Sequence, residues 1–76
     1  MTASLRQVYA IPKGISEHDI VAWIVDHSHW EGGLLYRNRD VDWEEVKASI
    51  VASRFSLKRI ERAVTREAYR RQEAAK

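Results

Sequence analysis

A chain of 76 residues without cysteine forms one small domain. Disulfides and thiolate metal sites are unavailable, so its core must come from packing alone or from an oligomer interface. A composition of 45% hydrophobic and 32% charged residues is globular rather than disordered. The longest apolar run, IVAWIV, is far shorter than the ~20 residues that cross a bilayer, and the N-terminus lacks an apolar stretch after a basic start. The expectation is a cytoplasmic protein with no membrane contact.

The net charge of +2 hides an asymmetry. Residues 1–53 carry five basic and eight acidic side chains, a net of −3. Residues 54–76 carry eight basic and three acidic side chains, a net of +5. Such an imbalance points to a basic binding element on an otherwise acidic body. The competing explanation is a general enrichment in arginine, since nine of the thirteen basic residues are Arg.

In chain order, SLRQVYAI (residues 4–11) alternates imperfectly and predicts a short strand, stopped by Pro12 and Gly14. Ser16 is the expected N-cap of a first helix of about 12 residues, with Asp19 where a capping-box acid sits. Ile20, Val21, Trp23, Ile24 and Val25 cover a broad arc of that helix. The run is also rich in β-branched residues, which suits a buried strand, and the cap and the length decide for helix. Gly32-Gly33 marks a turn, and LLYR after it predicts a strand that would pair with the N-terminal one in a two-stranded ribbon.

Asp42, three residues ahead of Glu45, opens a second helix. Trp43, Val46 and Ile50 line one side of it, and Val51 and Phe55 continue around, so this helix is expected to be central. Ser56 caps a third helix that runs to about Gln72. Its apolar positions Leu57, Ile60, Val64 and Ala68 form a narrow stripe. The last two helices make a helix-turn-helix-like pair, although the turn ASRFS lacks a glycine. The expected fold class is α+β, mainly helical: three helices with a small two-stranded ribbon.

The third helix carries the functional signal. At ~100° per residue, Arg59, Arg62, Arg66 and Arg70 fall roughly opposite the apolar stripe. Lys58–Arg62, Arg62–Arg66 and Arg66–Arg70 are like-charge i,i+4 pairs, each unfavourable by about 0.2–0.5 kcal/mol. Lys58 and Arg59 also place positive charge at the positive end of the helix dipole. Glu67 to Arg71 and Lys58 to Glu61 offset only part of this. A phosphate backbone would relieve both problems. A solvated helix face, with repulsion screened by salt, is the alternative that needs no ligand.

The candidate nucleic-acid-binding residues are thus Lys58, Arg59, Arg62, Arg66, Arg70, Arg54 and Tyr69, with Arg37 and Arg39 flanking. The reading is a small regulator of the kind carried by phages, plasmids or bacterial operons, binding double-stranded DNA. A homodimer is expected if it reads a palindrome. The alternative is a protein–protein interaction module that docks an acidic partner, with Trp30, Tyr36 and Arg37 as its interface. Single-stranded RNA is a weaker option, because only Tyr36 and Tyr69 offer exposed stacking faces.

His27, His29, Asp26 and Glu31 cluster in DHSHWE. They would suit a metal if they shared a strand face, but at a helix end they diverge, and dipole capping is the simpler role. Trp23 and Trp43 are assigned to the core, and Trp30 to closing one end of it. With no cysteine, no Gly-rich phosphate loop and no nucleophile elbow, no catalytic residue, metal or cofactor is assigned.

Overall fold

The structure, a computed structural model, describes residues 14–75. Within them the order is α1 (Glu17–Asp26), β1 (Ser28–Glu31), β2 (Leu34–Arg37), α2 (Trp43–Ala52) and α3 (Leu57–Ala74). The fold is α+β and mainly helical. The strand predicted over residues 4–11 lies outside the described residues.

Ser16 opens α1 as expected, its hydroxyl accepting a hydrogen bond from the Asp19 amide at 3.1 Å. Ile20, Val21 and Ile24 are buried along one side, so three of the β-branched residues serve as core within a helix. The far end of α1 is closed by side chains. The His27 ring donates from Nδ1 to the Trp23 carbonyl at 2.8 Å, and the Ser28 hydroxyl donates to the Ile24 carbonyl at 2.6 Å. These side chains join the His27 amide, which already reaches both carbonyls at 3.1 Å. The His27 ring also stacks on Trp23, with centroids 3.9 Å apart.

The ribbon is a hairpin of β1 and β2, antiparallel with Trp30 opposite Leu35 and His29 opposite Tyr36. The expected pairing of β2 with residues 4–11 lies outside the described residues, and among those its partner is the strand just before it. The reason is the loop. Gly32 and Gly33 have φ of 60° and 83°, and two consecutive left-handed residues are what a two-residue type I′ turn requires. Reading HSHWE as the end of α1 concealed β1.

Asp42 caps α2, accepting from the Glu45 amide at 3.2 Å. Val46 and Ile50 are fully buried, but α2 is not the central helix. α3 packs chiefly on α1, and Val51 is 60% exposed. The wide apolar arc of α2 therefore buries only one side. Beneath it, Ile20, Ile24, Val46, Ile50, Ile60 and Val64 form the heart of the core, with Trp23, Trp43, Leu57 and Phe55 packed around them.

The turn between α2 and α3 explains how the helix-turn-helix-like pair forms without glycine. The Phe55 amide bonds to the Ile50 carbonyl at 3.2 Å and the Arg54 amide to the Val51 carbonyl at 2.9 Å. These are the two bonds of a Schellman C-cap, and Phe55 packs on the core beside Ile50, the apolar contact that accompanies the motif. Arg54 occupies the left-handed position at φ 68°, where a Cβ crowds the following carbonyl. Arg54→Gly is therefore expected to stabilise the fold by about 0.5–1 kcal/mol, measured as a higher urea midpoint at unchanged slope.

Candidate nucleic-acid interface

α3 begins at Ser56, whose hydroxyl accepts from the Arg59 amide at 3.3 Å. Ile60, Val64 and Ala68 are buried, and this inward stripe turns the residues opposite it to solvent. Lys58, Arg59, Arg62, Arg66, Tyr69 and Arg70 are all exposed, as is Arg54 in the preceding turn. A shallow groove beside the helix start is lined by Ser56, Lys58, Arg59, Arg62 and Arg66.

The basic residues divide into two sets. On the side toward α1, Arg59 donates to Glu17 of the first turn of α1 at 3.0 Å. Arg70 grips Glu67 through two hydrogen bonds of 2.9 and 2.6 Å. Arg71 bonds the same Glu67 at 2.9 Å and reaches Asp26 at the end of α1. By contrast, Lys58, Arg62, Arg66 and Arg54 make no ion pair among the described residues.

Electrostatics follow this division. Hydrogen bonds from Arg70 and Arg71 hold the Glu67 carboxyl down at about 2. Glu67 in turn raises the pKa of Arg70, and Asp26 and then Glu67 raise that of Arg71. The folded-state value of Glu67 lies below its ordinary 4.5. Its stabilising contribution is therefore complete above about 4.5 and is lost as pH falls toward about 2. An acid titration should show wild-type stability falling more steeply across that window than Glu67→Gln, whose side chain has no proton to take up.

Tyr69 leans away from the arginines. Its ring lies against Trp30, with centroids 5.2 Å apart and planes tilted by 57°, and it stays half exposed. Trp30 on β1 thus bridges the hairpin to α3 through Tyr69. Arg39 is exposed in the loop after β2.

Arg37 is placed differently from a surface cation. Its guanidinium sits 4.5 Å over the Trp43 ring and donates weakly to the Ser28 hydroxyl at 3.4 Å. Burial lowers its pKa, and the nearby Glu61 offsets part of that. Its buried Nε has no hydrogen-bond partner among the described residues. Stacking on an aromatic face is how such a group remains tolerable.

The expected protein-docking set of Trp30, Tyr36 and Arg37 is therefore not one surface. Trp30 and Arg37 occupy the half-buried positions of the two strands. Tyr36 alternates to the outer face with His29, Glu31 and Leu34. There His29 donates to Asn38 Oδ1 at 2.7 Å and lies 3.7 Å from Glu31. His27 closes α1 while His29 stands on the hairpin, so the two diverge. No three His, Asp or Glu side chains gather into a metal site among the described residues. No described helix is long and apolar enough to cross a membrane.

Glu17 and Asp26 are the residues that sequence reasoning left out of this surface. Glu67 to Arg71 is legible as an i,i+4 pair, but Glu17 and Arg59 are 42 positions apart, and no periodicity links them. No protein-family model, curated protein or solved structure matches this chain.

Proposed function

We propose that this chain is a small DNA-binding protein, a regulator of transcription or of a mobile element, that contacts the duplex through α3. One observation carries the reading. Lys58, Arg62 and Arg66 recur every fourth residue on an exposed helix face with no carboxylate partner among the described residues. An internal role for these cations would have left them paired, as Arg59, Arg70 and Arg71 are. A polyanion supplies the missing counter-charge, and release of its condensed ions adds favourable free energy.

The test is a titration with duplex DNA at 50 and 200 mM salt. Micromolar or tighter binding at the lower salt, weakening steeply at the higher, is the expected result. Absence of binding at 50 mM, or binding indifferent to salt, overturns the reading.

The second reading is an acidic protein as the occupant of the same helix face. It is favoured by the ease with which carboxylates already satisfy the flanking arginines. Recovery of one stoichiometric acidic protein, with no nucleic acid, is the outcome that selects it.

A further inference from the structure

We infer that α3 lies along a single phosphate strand of duplex DNA, held by Lys58, Arg62 and Arg66, and does not enter the major groove as a recognition helix. The inference rests on the DNA-binding reading above and specifies its geometry.

Three observations carry it. The first is spacing. At ~1.5 Å rise per residue, Lys58 and Arg66 are about 12 Å apart along the axis, with Arg62 midway. Each DNA strand presents one charge per roughly 3.4 Å of duplex axis. Three cations spread over that length match a run of phosphates on one strand.

The second observation is the fate of the other two members of the stripe. Arg59, which lines the groove at the helix start with Lys58, Arg62 and Arg66, and Arg70 are paired with Glu17 and Glu67. Their guanidinium groups tie α3 to α1 and to itself, so the contact surface is narrower than the four-arginine stripe.

The third is the charge balance of the flank toward α1. Glu17, Glu67, Arg66 and Arg70 line one groove between α1 and α3, and Asp19 lies one residue beyond His18 in the same first turn of α1. A helix with side chains is about 10–12 Å across and the major groove about 12 Å wide. A helix seated in that groove meets a phosphate wall on both sides. Here the side toward α1 is charge-balanced, Glu17 and Glu67 against Arg66 and Arg70, so a second phosphate wall would gain no net attraction there. Contact along one strand leaves those carboxylates facing solvent. Phosphate contacts position a protein without reading sequence, so the binding is sequence-independent.

The experiment measures the salt dependence of binding to two unrelated 20-base-pair duplexes. It uses the wild type and the exposed-residue variants Lys58→Gln, Arg62→Gln, Arg66→Gln, Arg59→Gln and Arg70→Gln, each checked for native circular dichroism. Three phosphate contacts give a slope of about −2.7 in log affinity against log salt, so a fourfold rise in salt weakens wild-type binding about fortyfold. Loss of any one of Lys58, Arg62 or Arg66 should reduce that factor to about twelvefold. Arg59→Gln and Arg70→Gln should leave it near fortyfold, and the two duplexes should bind within about threefold of each other.

Equal loss of slope from Arg59→Gln and Arg70→Gln overturns the inference while leaving DNA binding intact. So does a preference of a hundredfold or more for one duplex. Failure of the wild type to bind either duplex removes the DNA-binding reading, and this inference with it.

Discussion

Replacing Ile60 by Ala is expected to destabilise the protein by about 2–5 kcal/mol, a large share of the stability a domain of this size holds. Ile60 is fully buried one turn into α3, where it meets core residues from α1 and α2. Truncation removes three carbons from a site already packed on every side, and the helices around it can close the gap only in part. The margin is small. At roughly 0.05–0.15 kcal/mol per residue, a domain of this size holds about 4–11 kcal/mol in total. Each kcal/mol lost lowers the melting temperature of such a domain by about 4–8 °C, so thermal or urea unfolding followed by circular dichroism reads the effect directly. A melting temperature within a few degrees of the wild type would mean that α3 is not held by this core. Because α3 also carries the basic surface, the same variant should lose DNA binding in proportion to its unfolded fraction.

The triple variant Lys58→Gln/Arg62→Gln/Arg66→Gln is expected to move stability and binding in opposite directions. It removes the three like-charge i,i+4 pairs of α3 and one of the two cations at the wrong end of its dipole, each a few tenths of a kcal/mol. Together these changes should stabilise the fold by about 1 kcal/mol. None of the three residues forms an ion pair among the described residues, so no attraction within this set is lost. DNA affinity at 50 mM salt should fall on the order of a thousandfold, with the salt slope approaching zero. Differential scanning calorimetry and a binding titration on one preparation check both halves. A variant that is less stable than wild type would show that the stripe supports the fold and is not held for a ligand.

The opposition is the physical content of the proposed site. A surface kept for an anion carries a repulsion in the free protein that the anion relieves. Arg59, Arg70 and Arg71 are outside this logic, because Glu17, Glu67 and Asp26 already neutralise them. Trimming those arginines should cost some stability and little binding.

The helices were legible in the sequence because their signals are local. Ser16, Asp42 and Ser56 each sit one residue before a helix, and each accepts the backbone amide three positions on. That geometry depends on four consecutive residues and on nothing else in the chain. The apolar stripe Ile60-Val64-Ala68 and the basic stripe opposite it were legible for the same reason, since a helix of fixed pitch places residues three and four apart on one face. The Gly32-Gly33 turn was readable too, but not the strand that it folded back, because His29 and Trp30 continue the polar–apolar pattern of a helix end as readily as that of a strand.

Tertiary structure alone decided the rest. It made α1, not α2, the principal partner of α3, a choice among apolar faces of similar width that no local pattern ranks. It set Trp30 against Tyr69 and Arg37 over Trp43, which divided the expected docking surface between the two faces of a hairpin. It also brought Glu17 to Arg59 and Asp26 to Arg71 across 42 and 45 positions, and so separated the arginines with a carboxylate partner from those without one among the described residues. Sequence determines which residues share a helix face, because helical pitch is a property of the backbone. Which charges on that face remain uncompensated depends on what packs beside it, and only the folded chain brings those carboxylates near.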